Sequence, residues 1–176
     1  EMLGIYISAH PLDHYQFEMA HYGFVPLNEL QQEIYRSKPI RIGGYISAVR
    51  HLESKKGNPY ARFTLTDYSG SYELGIFTEQ YLKFRDLLQH ENKIYLNGLM
   101  RMNQRDGNWE FNIQQIQLLE YAKRHLTKKI RLSMDLDTLN EEMVADISSF
   151  ARSEGQCELS ILIRDAGLGY EVRLHQ

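Results

Sequence analysis

Residues 63–77, FTLTDYSGSYELGIF, contain two short runs in which apolar and polar residues alternate, separated by Asp-Tyr-Ser-Gly-Ser. β-branched and aromatic residues fit a pleated, half-buried strand, whereas Asp, Ser and Gly favour tight turns. The stretch therefore predicts a β-hairpin. Such a hairpin serves packing alone, or it forms the floor of a surface that binds something else.

Three further strands are predicted, one before this hairpin and two after it. Residues 40–52, IRIGGYISAVRHL, precede it as a long strand, and the Gly43-Gly44 pair inside them indicates a bulge or a sharp bend. Residues 92–102 and residues 109–119 follow it as a fourth and a fifth strand, joined by the turn QRDGN. The hairpin is therefore the middle of a five-stranded unit.

One helix is predicted between the third and fourth strands. Thr78 can cap this helix. Its apolar side carries Tyr81, Phe84, Leu87 and Leu88. Five short strands with their helix at this place describe an OB-fold, a small and partly open Greek-key barrel. We expect the barrel to occupy residues 38–120.

The segment before the barrel, residues 1–37, is predicted to be a helical lead-in and connector. Pro11 suits the first turn of a helix, and Gly23 is a natural stop. The apolar face of this helix is formed by Leu12, Tyr15, Met19 and Tyr22. Residues 120–127, EYAKRHLT, follow the barrel as a charged connector. Because position 1 is not Met and the last residues still alternate, we expect the chain to be part of a longer protein.

Residues 128–176 are predicted to form a second, small α+β domain with the element order β-α-β-β. Its strands are residues 130–136, 158–164 and 170–175, in which apolar and polar residues alternate. A helix capped by Asp137 lies between the first two strands. We expect this domain to be truncated, and the whole chain to be mainly β with α, an α+β protein.

Charge is unevenly distributed along the chain. Residues 38–119 hold 11 Lys and Arg against 8 Asp and Glu, a balance of +3, within a chain of net charge −3. The predicted barrel is therefore mildly cationic although the chain is acidic. Cys157 is the only cysteine, which fits a reducing cytosol. No apolar run approaches the roughly 20 residues that span a bilayer, so we expect a cytoplasmic protein without a membrane partner.

An OB-fold binds single-stranded nucleic acid on the face of its second and third strands, between the loops that join strands one to two and four to five. Cations in these loops neutralise phosphates, and aromatic rings stack on bases. The predicted nucleic-acid-binding residues are Arg50, Lys55, Lys56, Tyr60, Arg62, Thr64, Arg101, Asn103, Arg105 and Trp109. Asp106 and Glu110 offset the charge of the second loop, so we expect weak binding to which the first loop contributes more.

Catalytic and metal-binding patterns are not evident in the sequence. His10 and His14 have the spacing of two metal ligands on one helix. Pro11, however, begins the predicted helix at this point and leaves His10 outside it. No nucleophile motif, glycine-rich phosphate loop or catalytic carboxylate pair is found. We expect no metal, no cofactor and no catalytic residue in this chain.

Four stretches carry a resemblance to a known family. Residues 1–15, EMLGIYISAHPLDHY, resemble the segment that leads into the OB domain of the bacterial replicative DNA polymerase III alpha subunit. Residues 46–77 are similar to the first three OB strands of that family, and residues 92–100 are similar to its fourth strand. Residues 128–176 are similar to part of its C-terminal domain. The lead-in residues that match are Glu1, Met2, Leu3, Gly4, Tyr6, Ser8, His10, Pro11 and Leu12.

This resemblance implies a C-terminal part of a DNA-directed DNA polymerase, a nucleotidyltransferase of the replisome whose catalytic residues lie outside this chain. It implies a non-catalytic OB module that holds single-stranded template DNA beside other domains of the same polymerase. Residues 128–176 are then a surface for a clamp-loader subunit. A protein-interaction module without DNA binding is the alternative, which the acidic net charge favours. A third hypothesis is an anticodon-type OB domain of a tRNA-handling enzyme, and the sequence of the lead-in argues against it.

Overall fold

The computed structural model describes residues 10–104, 107–151, 157–165 and 167–175. The chain divides into two compact units, Glu1–Lys123 and Arg124–Gln176. Of the helices within these described ranges, none is long and apolar enough to cross a membrane.

The first unit is built around a five-stranded antiparallel sheet with the strand order β3-β2-β1-β4-β5. The predicted order of five strands with a helix after the third is confirmed. The strands are β1 (Pro39–Glu53), β2 (Pro59–Thr66), β3 (Ser71–Phe77), β4 (Lys93–Met102) and β5 (Trp109–Leu118). The α-helices α1 (Gln16–His21) and α2 (Thr78–Phe84) belong to this unit, and α3 (Ala122–Leu126) runs across its end at Lys123.

The long first strand serves two partners in succession. From Pro39 to Tyr45 it pairs with β4, and from Tyr45 onward it pairs with β2. Gly44 lies at this exchange, where a Cβ atom would stand only 2.5 Å from the carbonyl oxygen of Thr66. The register shift that marks a bulge lies between Ile46 and Ala48 rather than at the glycine pair itself. Gly44 permits the close approach of β2.

Alternation along the strands builds the core of this unit. Every second residue of β2 and β3 is buried, as expected for a sheet with one packed face. The fully buried side chains include Ile42, Ile46, Phe63, Leu65, Ile76, Ile94, Leu96 and Met100. Helix α2 and the turn after it add Phe84 and Leu88 to this core. The cap position of α2 is Phe77, without a side-chain cap hydrogen bond, so the predicted capping by Thr78 is wrong.

The lead-in packs on the hairpin turn between β2 and β3. Asp67 in that turn is 7% exposed, and its Oδ2 accepts a hydrogen bond of 3.0 Å from the backbone N–H of Leu27. Its Oδ1 accepts hydrogen bonds from the N–H groups of Ser69 and Gly70 at 2.7 and 2.9 Å. The Asp-Tyr-Ser-Gly turn therefore shapes the hairpin and also anchors the lead-in.

The second unit has the predicted β-α-β-β order. It consists of β6 (Lys129–Asp135), α4 (Glu141–Ala151), β7 (Glu158–Asp165) and β8 (Tyr170–His175), with β6 and β7 parallel and β7 and β8 antiparallel. Asn140 rather than Asp137 caps α4, because Asn140 Oδ1 accepts a hydrogen bond of 2.8 Å from the Met143 N–H. The predicted charged connector, residues 120–127, is largely helical, since it contains α3.

Candidate nucleic-acid interface

The outward face of β1, β2 and β3 carries the predicted binding residues of the central strands. On β2, Ala61, Phe63 and Leu65 point into the core, so the residues between them point outward. The outward register pairs Tyr60 with Phe77, Arg62 with Gly75 and Thr64 with Glu73 on β3. On the other side, Arg50 of β1 pairs with Arg62.

Two aromatic rings stack on this face. The ring centroids of Tyr60 and Phe77 are 5.6 Å apart with an interplanar angle of 18°, and Phe77 is 57% exposed. We call these two residues the aromatic platform. An exposed aromatic ring on a strand remains in contact with water and adds no buried surface to the core. It offers a flat apolar surface to a ligand. Phe77 was not among the predicted site residues.

One cleft lies between the platform and the β1–β2 loop. It has a volume of about 450 Å³, and its lining includes Ser54, Lys55, Asn58, Tyr60, Arg62 and Phe77. We call it the lysine cleft. The loop above it is closed by hydrogen bonds from the Ser54 N–H to the Asn58 carbonyl, 2.9 Å, and from the Asn58 N–H to Ser54 Oγ, 3.0 Å. Gly57 supplies the positive φ of 78° that this tight loop needs.

The two lysines of the β1–β2 loop are exposed to solvent. Neither Lys55 nor Lys56 forms an ion pair with any residue that the structure describes. Both ammonium groups therefore remain available to an anionic ligand.

A second cleft lies on the other side of the platform, toward β5. It has a volume of about 430 Å³, and its lining includes Arg62, Glu73, Gly75, Phe77, Asn103 and Glu110. We call it the carboxylate cleft. Arg62 Nη1 forms an ion pair of 2.9 Å with Glu73 Oε1, and Asn103 Nδ2 donates a hydrogen bond of 3.1 Å to Glu110 Oε1. Because both clefts share Arg62 and Phe77, the two predicted loops flank one continuous surface.

The sheet edges beside the carboxylate cleft are joined by side chains. Gln31 Nε2 donates hydrogen bonds to the Tyr72 hydroxyl of β3, 3.4 Å, and to the Trp109 carbonyl of β5, 3.1 Å. The Tyr72 hydroxyl also interacts with the backbone of Phe111, while burial raises the pKa of its phenol. Gln80 Nε2 donates to the Ile113 carbonyl at 3.0 Å. Side chains thus close the barrel where β3 and β5 form its two edges.

The remaining predicted residues lie in different surroundings. Trp109 packs against the core, and the guanidinium of Arg36 lies 5.2 Å from its ring centroid, so the indole contributes to packing of the lead-in. Arg101 is exposed on β4 opposite Glu110. Arg105 lies outside the described residues.

His10 of the lead-in has structural partners. The His10 ring stacks on Tyr68 with 4.4 Å between centroids, and Asp13 Oδ2 accepts a hydrogen bond from the His10 N–H at 2.8 Å. In the part of the chain that the structure describes, His, Cys, Asp and Glu do not gather in groups of three or more that could hold a metal ion.

Comparisons with known proteins agree with the sheet topology. Residues 40–119 match the family tRNA_anti-codon, described as an OB-fold nucleic acid binding domain. Across 92% of its length the chain is 24% identical to the DNA polymerase III subunit alpha of Pasteurella multocida, of which it spans 15%. Across 61% of its length it is 36% identical to the corresponding subunit of Saccharopolyspora erythraea, of which it spans 9%.

One solved structure aligns with a part of this chain about as long as the barrel. The SSB domain of a Synechococcus sp. protein aligns with 46% of this chain and 94% of its own, at 12% identity and a TM-score of 0.35. The predicted OB-fold and the predicted resemblance to the alpha subunit are confirmed by the family match and by the alpha subunits. The chain spans only a small part of those subunits.

Proposed function

We propose that this chain, an OB-fold module similar to part of the bacterial DNA polymerase III alpha subunit, binds single-stranded DNA on the outward face of β1, β2 and β3 during replication. The observation that carries the proposal is the aromatic platform, in which Phe77 is exposed, with the exposed lysines of the β1–β2 loop beside it. In this proposal the chain is non-catalytic, and the polymerase residues lie in other domains of the parent protein.

Each element of this surface has a physical role in binding a strand. An unpaired base can stack on Phe77 or Tyr60, and such stacking contributes about 1–3 kcal/mol per base. Lys55, Lys56 and Arg50 can neutralise phosphates and release counterions. In duplex DNA each base is stacked between its neighbours, so its faces are not available to the platform. The surface therefore favours single strands.

A titration of the 176-residue chain with a fluorescently labelled oligo-dT tests the proposal. Anisotropy measured across a salt series should show an affinity that decreases as the salt concentration increases. A Lys55→Ala, Lys56→Ala variant should weaken binding and reduce the slope of log K against log salt by about 1–1.4, because each phosphate neutralised on a single strand contributes about 0.7 to that slope.

The control for this variant is Lys83→Ala with Lys128→Ala, which removes the same charge at exposed positions that line neither cleft. Equal slopes for the two double variants would remove the β1–β2 loop from the binding site. If no oligonucleotide binds at low salt, the interaction-module hypothesis replaces the proposal, and capture of clamp-loader subunits through residues 128–176 becomes its test.

RNA ligands should be included in the same titration. Because the matching family is called tRNA_anti-codon, oligo-rU and a folded RNA hairpin should be compared with oligo-dT at equal salt. The proposal predicts that oligo-dT binds at least as tightly as either RNA. A clear preference for the hairpin would assign the surface to structured RNA instead.

A further inference from the structure

The two clefts beside the aromatic platform differ in charge. The lysine cleft contains the ammonium group of Lys55, shares Arg62 with the carboxylate cleft, and is lined by no carboxylate among the described residues. The carboxylate cleft contains Glu73 and Glu110, and its cation, Arg62, is already paired with Glu73. A phosphate is attracted to the first cleft and repelled by the second.

This asymmetry orients a bound strand across the sheet. With its sugar-phosphate backbone over the lysine cleft, a base that stacks on Phe77 directs its free edge toward the carboxylate cleft. The Phe77 ring lies over Gly75, since a Cβ atom on Gly75 would stand 3.1 Å from two of its carbons. Glu73 precedes Gly75 by two residues on the same face of β3, which places their Cα atoms roughly 7 Å apart. That distance is comparable to the width of a base.

The carboxylates keep hydrogen-bonding capacity for such an edge. A carboxylate can accept about four hydrogen bonds. The observed contacts of Glu73 with Arg62 and of Glu110 with Asn103 each engage one oxygen. A carboxylate accepts a hydrogen bond from the exocyclic amino group of cytosine, whereas uracil and thymine present a carbonyl oxygen at that position. The first contact is attractive, and the second places two acceptors against each other.

We infer that the aromatic platform selects unpaired bases that carry an exocyclic amino group over uracil and thymine, through Glu73 and Glu110. The inference rests on the proposed single-strand binding and adds base selectivity to it. Phosphate contacts and stacking alone tolerate any base. The carboxylates on one side of the platform supply the discrimination that those contacts lack.

Oligo-dC and oligo-dU of equal length test the inference, because they carry the same phosphate charge and lack the thymine methyl group. Anisotropy titrations of the full chain at pH 8 and equal salt should show oligo-dC binding roughly three- to tenfold more tightly, given edge contacts of this kind. Glu73→Gln should bring the dC-to-dU affinity ratio toward one, because an amide can donate to the uracil carbonyl. Glu110→Gln should lower the ratio in the same direction.

The matched control is Glu91→Gln, which makes the same change at an exposed residue before β4 that lines neither cleft. It should leave the dC-to-dU ratio unchanged. Circular dichroism of each variant verifies the fold, so that a reduced dC-to-dU affinity ratio in Glu73→Gln is interpreted only for folded protein. Glu110→Gln repeats the test at an independent position.

The possible outcomes separate this inference from the proposed function. If neither oligonucleotide binds, single-strand binding itself fails. If both bind with equal affinity, the chain binds single strands but does not select bases, and the inference is wrong. If Glu73→Gln strengthens binding of both by the same factor, Glu73 only repels phosphate, which also overturns the inference.

Discussion

The ring of Phe77 lies over Gly75, so that a Cβ atom on Gly75 would stand 3.1 Å from both Cε2 and Cζ of the ring. Separations this short are tighter than ordinary van der Waals contact, so a methyl group at this position would displace the ring. The glycine therefore provides the space in which the Phe77 ring stacks with Tyr60. Gly75 belongs to the candidate site although it has no side chain to contact a ligand.

Gly75→Ala should therefore weaken binding without unfolding the protein. The added methyl group pushes the Phe77 ring away from Tyr60, and we expect the affinity for oligo-dT to decrease roughly three- to tenfold through weaker stacking. The free energy of unfolding should change by less than about 1 kcal/mol, because the ring is exposed and can move. Gly70→Ala is the control, since its added Cβ would meet only the Cβ of Asn28, at 3.9 Å. Equal affinities of the two variants would contradict the role of Gly75.

Asp67→Ala should destabilise the first unit. The substitution leaves the buried N–H group of Leu27 and the partly buried N–H groups of Ser69 and Gly70 without their acceptor, which should cost about 2–4 kcal/mol in unfolding free energy. Trp109 is the only tryptophan, so its fluorescence during urea unfolding reports on this unit. Asp67→Asn, which retains one acceptor oxygen, should cost less. A cost no larger than that of Asp86→Ala at an exposed position would show that the anchor contributes little.

Gly44→Ala and Gly43→Ala form a matched pair within β1. A Cβ atom on Gly44 would stand 2.5 Å from the Thr66 carbonyl oxygen, a backbone atom that cannot move without disturbing β2. A Cβ atom on Gly43 would stand 3.1 Å from Met19 Sδ, the far part of a flexible side chain. We expect unfolding costs of about 2–3 kcal/mol for Gly44→Ala and less than about 1 kcal/mol for Gly43→Ala. A larger unfolding cost for Gly43→Ala than for Gly44→Ala, measured by urea unfolding, would contradict the assignment of the close approach to Gly44.

The strands of the barrel could be predicted from the sequence because their information is local. Alternation with a period of two specifies which residues of β2 and β3 enter the core, and Asp, Ser and Gly mark the turn between them. The same alternation places Phe77 on the outward face. Phe77 is in phase with Glu73 and Gly75, so it lies on the outward face and opposite Tyr60.

Contacts between distant segments could not be predicted in this way. Arg36 covers Trp109 although the two residues are far apart in sequence, and no local pattern records that contact. The hydrogen bond from the Leu27 N–H to Asp67 is of the same kind. The cap of α4 was predicted wrongly for a different reason. Asp137 and Asn140 are both good capping residues, and only the path of the chain selects between them.

The stability of the first unit should decrease at alkaline pH, because burial raises the pKa of the phenols of Tyr72 and Tyr95. A folded-state pKa above the unfolded value of about 10 means that the unfolded phenol ionises first. The contribution is therefore fully present below pH 10 and is lost as the pH rises through the folded pKa, by at most about 1.4 kcal/mol per pH unit for each phenol. Urea midpoints from Trp109 fluorescence, measured between about pH 8 and pH 11, should fall above pH 10. Tyr72→Phe should make that decrease shallower, whereas equal decreases in the wild type and in Tyr72→Phe would exclude this phenol as a cause.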